Sequence, residues 1–178
     1  MHYIALLRAI NVGGHNVSME KLRGLFIDLG LDNVRSYIQT GNVFFESAET
    51  DRSKLAATIE AHLKKALRYE VPVILRTIEE VEAALHLNPF KGIELTKDRR
   101  FYILFAAQSI SSDLALPFRS PTGEFEIISI TPGEIFLVLT LKNGRSGNPA
   151  AFVEKIFNTK VTGRFFHTTA KILEAAQA

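Results

Sequence analysis

The 178-residue chain predicts an α+β protein: a ferredoxin-like plait of order βαββαβ followed by a second, plait-like α+β unit. Three observations carry that expectation. Short apolar runs bounded by turn residues alternate with stretches of helical apolar spacing. The first 77 residues read strand, helix, hairpin, helix, strand. The same order recurs from residue 101 onward. A chain of this order folds as an antiparallel sheet with both helices on one face.

Residues 3–7 are an apolar run ending at Arg8, as in a buried strand. After a glycine-containing loop, Ser18 is placed as a helix N-cap; Leu22, Leu25, Phe26 and Leu29 follow at helical spacing, and Gly30 supplies the stop. A hairpin comes next, with 34–39 and 43–46 joined at Thr40-Gly41. A second helix over 53–68 lines up Leu55, Ile59, Leu63 and Leu67. Residues 71–76 close the first unit as a strand, which Pro72 marks as an edge.

Thr77 and Glu80 form a capping-box pattern at the head of a third helix, with Val81, Ala84 and Leu85 as its apolar stripe and Asn88-Pro89-Phe90 as its end. Residues 91–100 are polar and charged, as in a connector. In the second unit, 101–107 predicts a strand and 112–116 a short helix cut off by Pro117. Residues 125–130 and 135–141 predict a hairpin whose Pro132-Gly133 turn suits type II geometry. Asn148 as N-cap with Pro149 behind it begins a helix running to about residue 157. A strand over 161–166 and a helix over 168–176 complete the chain. The expected organisation is a first unit over 1–77, a helix and connector over 78–100, and a second unit over 101–178.

Composition narrows the functional classes. With 47% hydrophobic and 22% charged residues, collagen-like and disordered classes are excluded. The absence of cysteine removes disulfides, thiolate nucleophiles and Cys-based zinc or iron–sulfur sites. The apolar stretch at the N-terminus is too short for a signal peptide and no run reaches membrane-spanning length, so the expected address is the cytoplasm with no membrane partner. The net charge is +2, divided as −1 over residues 1–90 and +3 over 91–178, far from the excess of a dedicated nucleic-acid binder. The five histidines lack metal-ligand spacing, so no metal site is expected. Without a GxGxxG fingerprint, a Walker loop or a GxSxG elbow, no cofactor is implied and no catalytic class is assigned.

The segment 8–17, RAINVGGHNV, is the place to look for chemistry. It is longer than the roughly two to six residues that usually join a strand to a helix. Gly13-Gly14 permits positive φ and close approach of a ligand to backbone, while Asn11, His15 and Asn16 add hydrogen-bonding side chains. In a plait with strand order four-one-three-two, the outgoing end of the first strand, the hairpin tip and the exit of the second helix share one rim. Arg8, Asn11, Gly13, Gly14, His15 and Asn16 should then face Gln39, Thr40 and Asn42, with Arg68, Tyr69 and Glu70 nearby. Such a cluster suits a small anionic ligand or nucleotide, Arg8 supplying charge and the glycine N–H groups donating. His15 is the one side chain there whose ordinary pKa suits proton transfer near neutrality, which makes it the catalytic candidate. A folding explanation stands beside this one: a strand-end arginine, a Gly-Gly turn and a Thr-Gly hairpin all serve architecture alone.

The motifs LLRAINVGGHN at 6–16, YIQTGNV at 37–43, Asn88-Pro89-Phe90 and Gly144-Arg145-Ser146 resemble the domain-of-unknown-function 1697 family of bacterial proteins. That resemblance implies a two-part α+β protein with a ferredoxin-like unit and no established activity, and it brings across Arg8, Asn11, Gly13, Gly14, Gln39, Gly41 and Asn42 as motif positions. The chain departs from the family pattern at Ala9, where glycine is usual. It departs again in TGRFFHT at 162–168, where Phe165, Phe166 and His167 replace an Asn-Trp-Asn core while Arg164 is kept.

Two alternatives belong to other classes. One is single-stranded RNA binding on the open sheet face, with Tyr3, Phe44 or Phe45 stacking on bases. The slightly acidic first unit and a strand apolar on both sides weigh against it. The other is a protein–protein adaptor or homodimer using Phe165-Phe166. The stretch 142–149, KNGRSGNP, reads either as an anion loop or, more simply, as a turn followed by a helix cap.

Overall fold

Strand β1 (His2–Leu7) opens the chain in the computed structural model, which describes residues 1–178. Helix α1 (Met19–Ile27) follows, then the hairpin β2 (Asp32–Tyr37) and β3 (Asn42–Glu46), helix α2 (Arg52–Leu67), strand β4 (Val73–Thr77) and helix α3 (Ile78–Leu87). After them come β5 (Arg99–Ala106), β6 (Phe118–Arg119), β7 (Phe125–Ile130), β8 (Glu134–Thr140), α4 (Pro149–Phe157), β9 (Val161–Phe165) and α5 (Phe166–Gln177). The protein is therefore α+β, with two antiparallel sheets and five helices. It divides into two compact units: Met1–Glu82 with Ile172–Ala178, and Ala83–Lys171.

In the first unit the sheet order is β2-β3-β1-β4, every pair antiparallel. Tyr3, Ala5 and Leu7 of β1, Val43 and Phe45 of β3, and Val73 and Leu75 of β4 bury one face. Against it pack Leu22, Leu25 and Phe26 of α1 and Leu55, Ile59 and Leu63 of α2. The alternation of these residues along each strand is what puts them on one side. The caps behave as their chemistry requires. Ser18 accepts from the Lys21 N–H, Asp51 accepts from the Lys54 N–H, and Thr77 and Glu80 satisfy each other's N–H groups at 3.3 and 2.9 Å. Arg35 of β2 donates from its two terminal nitrogens to the carbonyls of Ala175 and Ala176, both at 2.9 Å, which satisfies two acceptors that the end of α5 leaves open.

In the second unit the order is β6-β7-β8-β5-β9. Leu104, Ala106, Ile127, Ile135, Leu137 and Leu139 form one buried face, which Val153 of α4 packs against. Asn148 caps α4 and Pro149 occupies its first turn, as expected. The 142–149 stretch is a turn plus cap: Lys142 and Arg145 exchange backbone hydrogen bonds at 3.0 and 2.9 Å around Asn143 and Gly144, both with positive φ.

Two local expectations are corrected. Residues 112–116 form no helix. Five residues ahead of a proline give too few hydrogen bonds to offset helix nucleation, and the Ser112 hydroxyl takes the Leu114 N–H in a local turn. The chain runs instead without regular structure, bending at Leu116-Pro117, into the short strand β6. The Pro132-Gly133 turn is not type II, because Gly133 does not adopt the positive φ that type needs. Thr131 and Glu134 close it instead, by a 2.9 Å backbone bond and a 2.6 Å side-chain bond.

Candidate functional site

Strand pairing brings the separated polar segments of the first unit to one rim. Leu7 N–H donates to Gly41 O and Arg8 N–H to Pro72 O, each at 2.9 Å, so the end of β1 is held to the hairpin tip on one side and to the approach of β4 on the other. Asn11 Nδ2 donates to Gln39 O at 3.0 Å, joining the loop to the turn. The His15 ring lies on the Tyr69 ring with centroids 3.7 Å apart and planes 20° from parallel. Arg8, Asn11, His15, Gln39 and Tyr69 thus share the neighbourhood their positions in the sequence imply. Arg68 ends α2 in a left-handed conformation, and Glu70 is paired with Lys64 at 3.0 Å.

The side chains at this rim divide into two groups. Asn11 is architectural: its φ is +57°, its amide nitrogen is spent on Gln39, and its Oδ1 accepts from the Val17 N–H at 2.6 Å. Asn42 is 0% exposed and donates to Tyr37 O at 3.1 Å and to Thr40 Oγ1 at 3.0 Å, so its amide holds the hairpin turn together. Thr40 serves the same turn, and Gln39 contributes its carbonyl. Gly41 needs its positive φ of +87°, and a Cβ there would collide with Ile10 Cγ2.

The second group faces outward. Gly13 and Gly14 have φ of +61° and +86°, with open space where a side chain would stand. Their N–H groups make no hydrogen bond within the protein. His15 and Asn16 are exposed and Arg8 is half-buried. No carboxylate lies on the loop from residue 8 to 17. Beneath His15, the Tyr69 hydroxyl is buried with no hydrogen-bond partner in the protein. His15 has no carboxylate partner to orient its ring, so a catalytic dyad is not assembled here.

Tyr3, Phe44 and Phe45 are buried at 2%, 4% and 2% exposure, and Tyr3 Oη donates to Glu49 O at 2.9 Å. None of these rings is presented to a base, which removes the stacking platform that RNA binding on this face requires. Phe165 and Phe166, the alternative contact pair, are half-buried and line a recess in the second unit. Sequence reasoning did not find that recess, because its walls are drawn from segments more than sixty residues apart. No group of three or more His, Asp or Glu side chains is placed to hold a metal ion, and no helix is long and apolar enough to cross a membrane.

The sequence matches the family described as "Protein of unknown function (DUF1697)" over residues 1–136. Among solved structures, the chain is similar to that of the conserved bacterial protein SP0830 from Streptococcus pneumoniae. The TM-score is 0.74 and the identity 24%, covering 99% of this chain and 98% of the other, which establishes a shared fold. No curated protein matches the chain.

Proposed function

This chain belongs to the DUF1697 family of proteins of unknown function, and we propose that it binds a small anion, of the size of a phosphate or the phosphate end of a nucleotide, at the loop–hairpin rim of a cytoplasmic, ferredoxin-like first unit. The carrying observation is the pair Gly13-Gly14, whose consecutive N–H groups are unpaired within the protein and whose surroundings leave room for a guest. Backbone N–H groups in such a turn are fixed partial positive charges that need no side-chain reorganisation to receive an oxyanion. Arg8 adds a full charge at the end of a buried strand.

The roles separate accordingly. Gly13, Gly14, Arg8, His15 and Asn16 are the ligand-facing set, whereas Asn11, Gln39, Thr40 and Asn42 hold the frame on which that set stands. His15 lies flat on Tyr69 and forms a side wall beside the glycines.

Inorganic pyrophosphate and a nucleoside triphosphate, titrated into isotopically labelled protein, test this reading. The amide resonances of Gly13 and Gly14 should shift saturably, and Arg8→Gln should weaken the response about tenfold, corresponding to the loss of one charge-assisted contact of roughly 1.4 kcal/mol. Glycine amides that stay still at millimolar pyrophosphate, or an undiminished response in Arg8→Gln, would overturn it.

A further inference from the structure

A cavity of about 340 Å³ opens in the second unit where the start of β5 meets the junction of β9 and α5. Its size lies at the lower end of the ~300–1,000 Å³ range of small-molecule sites. The walls are aromatic. Phe165 and His167 lie nearly parallel, centroids 5.5 Å apart and planes 9° from parallel. Phe101 is backed by Phe90, stacked at 4.5 Å and 5°, and Phe90 in turn meets Phe166 edge-on at 5.2 Å. These contacts fix the rings before any guest arrives, which lowers the entropic cost of binding. Leu95, 60% exposed, stands at the same opening as an apolar side chain that water gains nothing by touching.

The polar contribution comes from Arg99 and Arg100. Arg99 Nη1 donates to Glu94 O at 2.9 Å, and Arg100 Nη1 donates to the carbonyls of Lys97 and Arg99, both at 2.8 Å. Both heads are thus pinned by neutral main-chain acceptors. Neither lies within ion-pair distance of a carboxylate, and no Asp or Glu lines the cavity. A guanidinium offers five N–H donors in a planar fork, so most of that capacity remains for an oxyanion. A hydrated inorganic ion would leave the ring walls facing water. A neutral hydrocarbon would desolvate two positive charges without compensation. A guest with a flat apolar body and one acidic group satisfies both halves.

We propose that this cavity binds a planar aromatic acid, its ring seated among Phe101, Phe165 and Phe166 and its acidic group directed at Arg99 and Arg100. The site is independent of the loop–hairpin rim, which belongs to the other unit.

The test uses anilinonaphthalene sulfonate as the charged aromatic probe and phenylnaphthylamine, the same rings without the sulfonate, as its neutral counterpart. The full chain should bind one sulfonate per molecule, with amide shifts confined to residues around 95–101 and 165–167. Arg99→Gln/Arg100→Gln should weaken the sulfonate at least about tenfold and the neutral probe less than about twofold. Arg8→Gln should leave both unchanged, which separates failure here from failure at the rim. Equal loss for both probes, an unaltered sulfonate affinity, or shifts centred elsewhere in the unaltered protein would each overturn the proposal. The amide shifts need no variant, so the answer does not depend on the double substitution folding.

Discussion

Replacing Gly41 with alanine tests the geometry on which the rim depends. Gly41 sits at φ +87°, buried between the loop after β1 and the hairpin, and its carbonyl accepts the Leu7 N–H at 2.9 Å. An added methyl would strike Ile10 Cγ2, with Leu7 Cβ at 3.0 Å and Ile10 Cβ at 3.4 Å. Leu7 and Ile10 are both buried, so neither can swing into solvent to make room. The left-handed backbone costs about 1–2 kcal/mol for a residue bearing Cβ, and forcing a methyl into a packed site costs about 1–3 kcal/mol more. The expected loss is therefore about 2–5 kcal/mol, a large share of a typical domain's stability. Urea unfolding followed by circular dichroism should show the midpoint falling by about 1–2.5 M for a denaturant dependence near 2 kcal/mol/M.

Gly30→Ala is the matched control. Its φ is +75° but nothing lies within 4 Å of the added carbon, so it should lose only the backbone component. Truncating Ile10 to alanine removes the struck Cγ2 atom, so the double variant with Gly41→Ala should be less destabilised than the two single losses added together. Equal costs at Gly41 and Gly30, or strict additivity with Ile10→Ala, would mean that the loop and the hairpin tip do not approach as closely as the distances state.

Other perturbations address neighbouring links. Asn42→Ala should destabilise by about 1–3 kcal/mol in urea unfolding, because it strips a buried hairpin of donors to Tyr37 O and Thr40 Oγ1; unchanged stability would show that those bonds are replaceable. The Glu49 carboxyl is held below its ordinary value of 4.5, first by its hydrogen bond with Lys54 and then by the Asp51 N–H. Its native pKa lies below the unfolded one, so its contribution is present above the unfolded value and lost as pH falls through the native one. Glu49→Gln should flatten the acid side of the melting-temperature profile below about pH 4.5 and leave the neutral region's slope unchanged; an unaltered acid limb would refute the assignment.

Much of the architecture was legible because single residues carry it. Ser18 and Gly30 bracket α1, Thr77 and Glu80 open α3, and Asn148-Pro149 start α4 where the sequence puts them. The failures have separate causes. Residues 112–116 show an acceptable helical pattern, but whether a helix forms depends on having enough turns to repay its nucleation, which pattern alone does not count. At the rim, strand order is enough to predict that Arg8, Asn11 and Gln39 meet. It does not predict that Asn11 and Asn42 are consumed by the frame, since the local path of the chain includes positive φ values at Ala9 and Ile38, residue types for which that conformation is uncommon. The aromatic recess of the second unit was invisible for a different reason. Its two walls meet through the pairing of β5 with β9, which sets Tyr102 opposite Phe165, a long-range register that no local window contains.

The seven residues Ile172–Ala178 complete a unit whose other residues are Met1–Glu82. During translation they are made after the entire second unit, so Arg35 emerges long before the two carbonyls it binds, at Ala175 and Ala176. Until they are made, Arg35 of β2 lacks the two acceptors that tie it to the end of α5. A tag or fusion that obstructs this last turn of helix would leave that tie unmade in the finished protein.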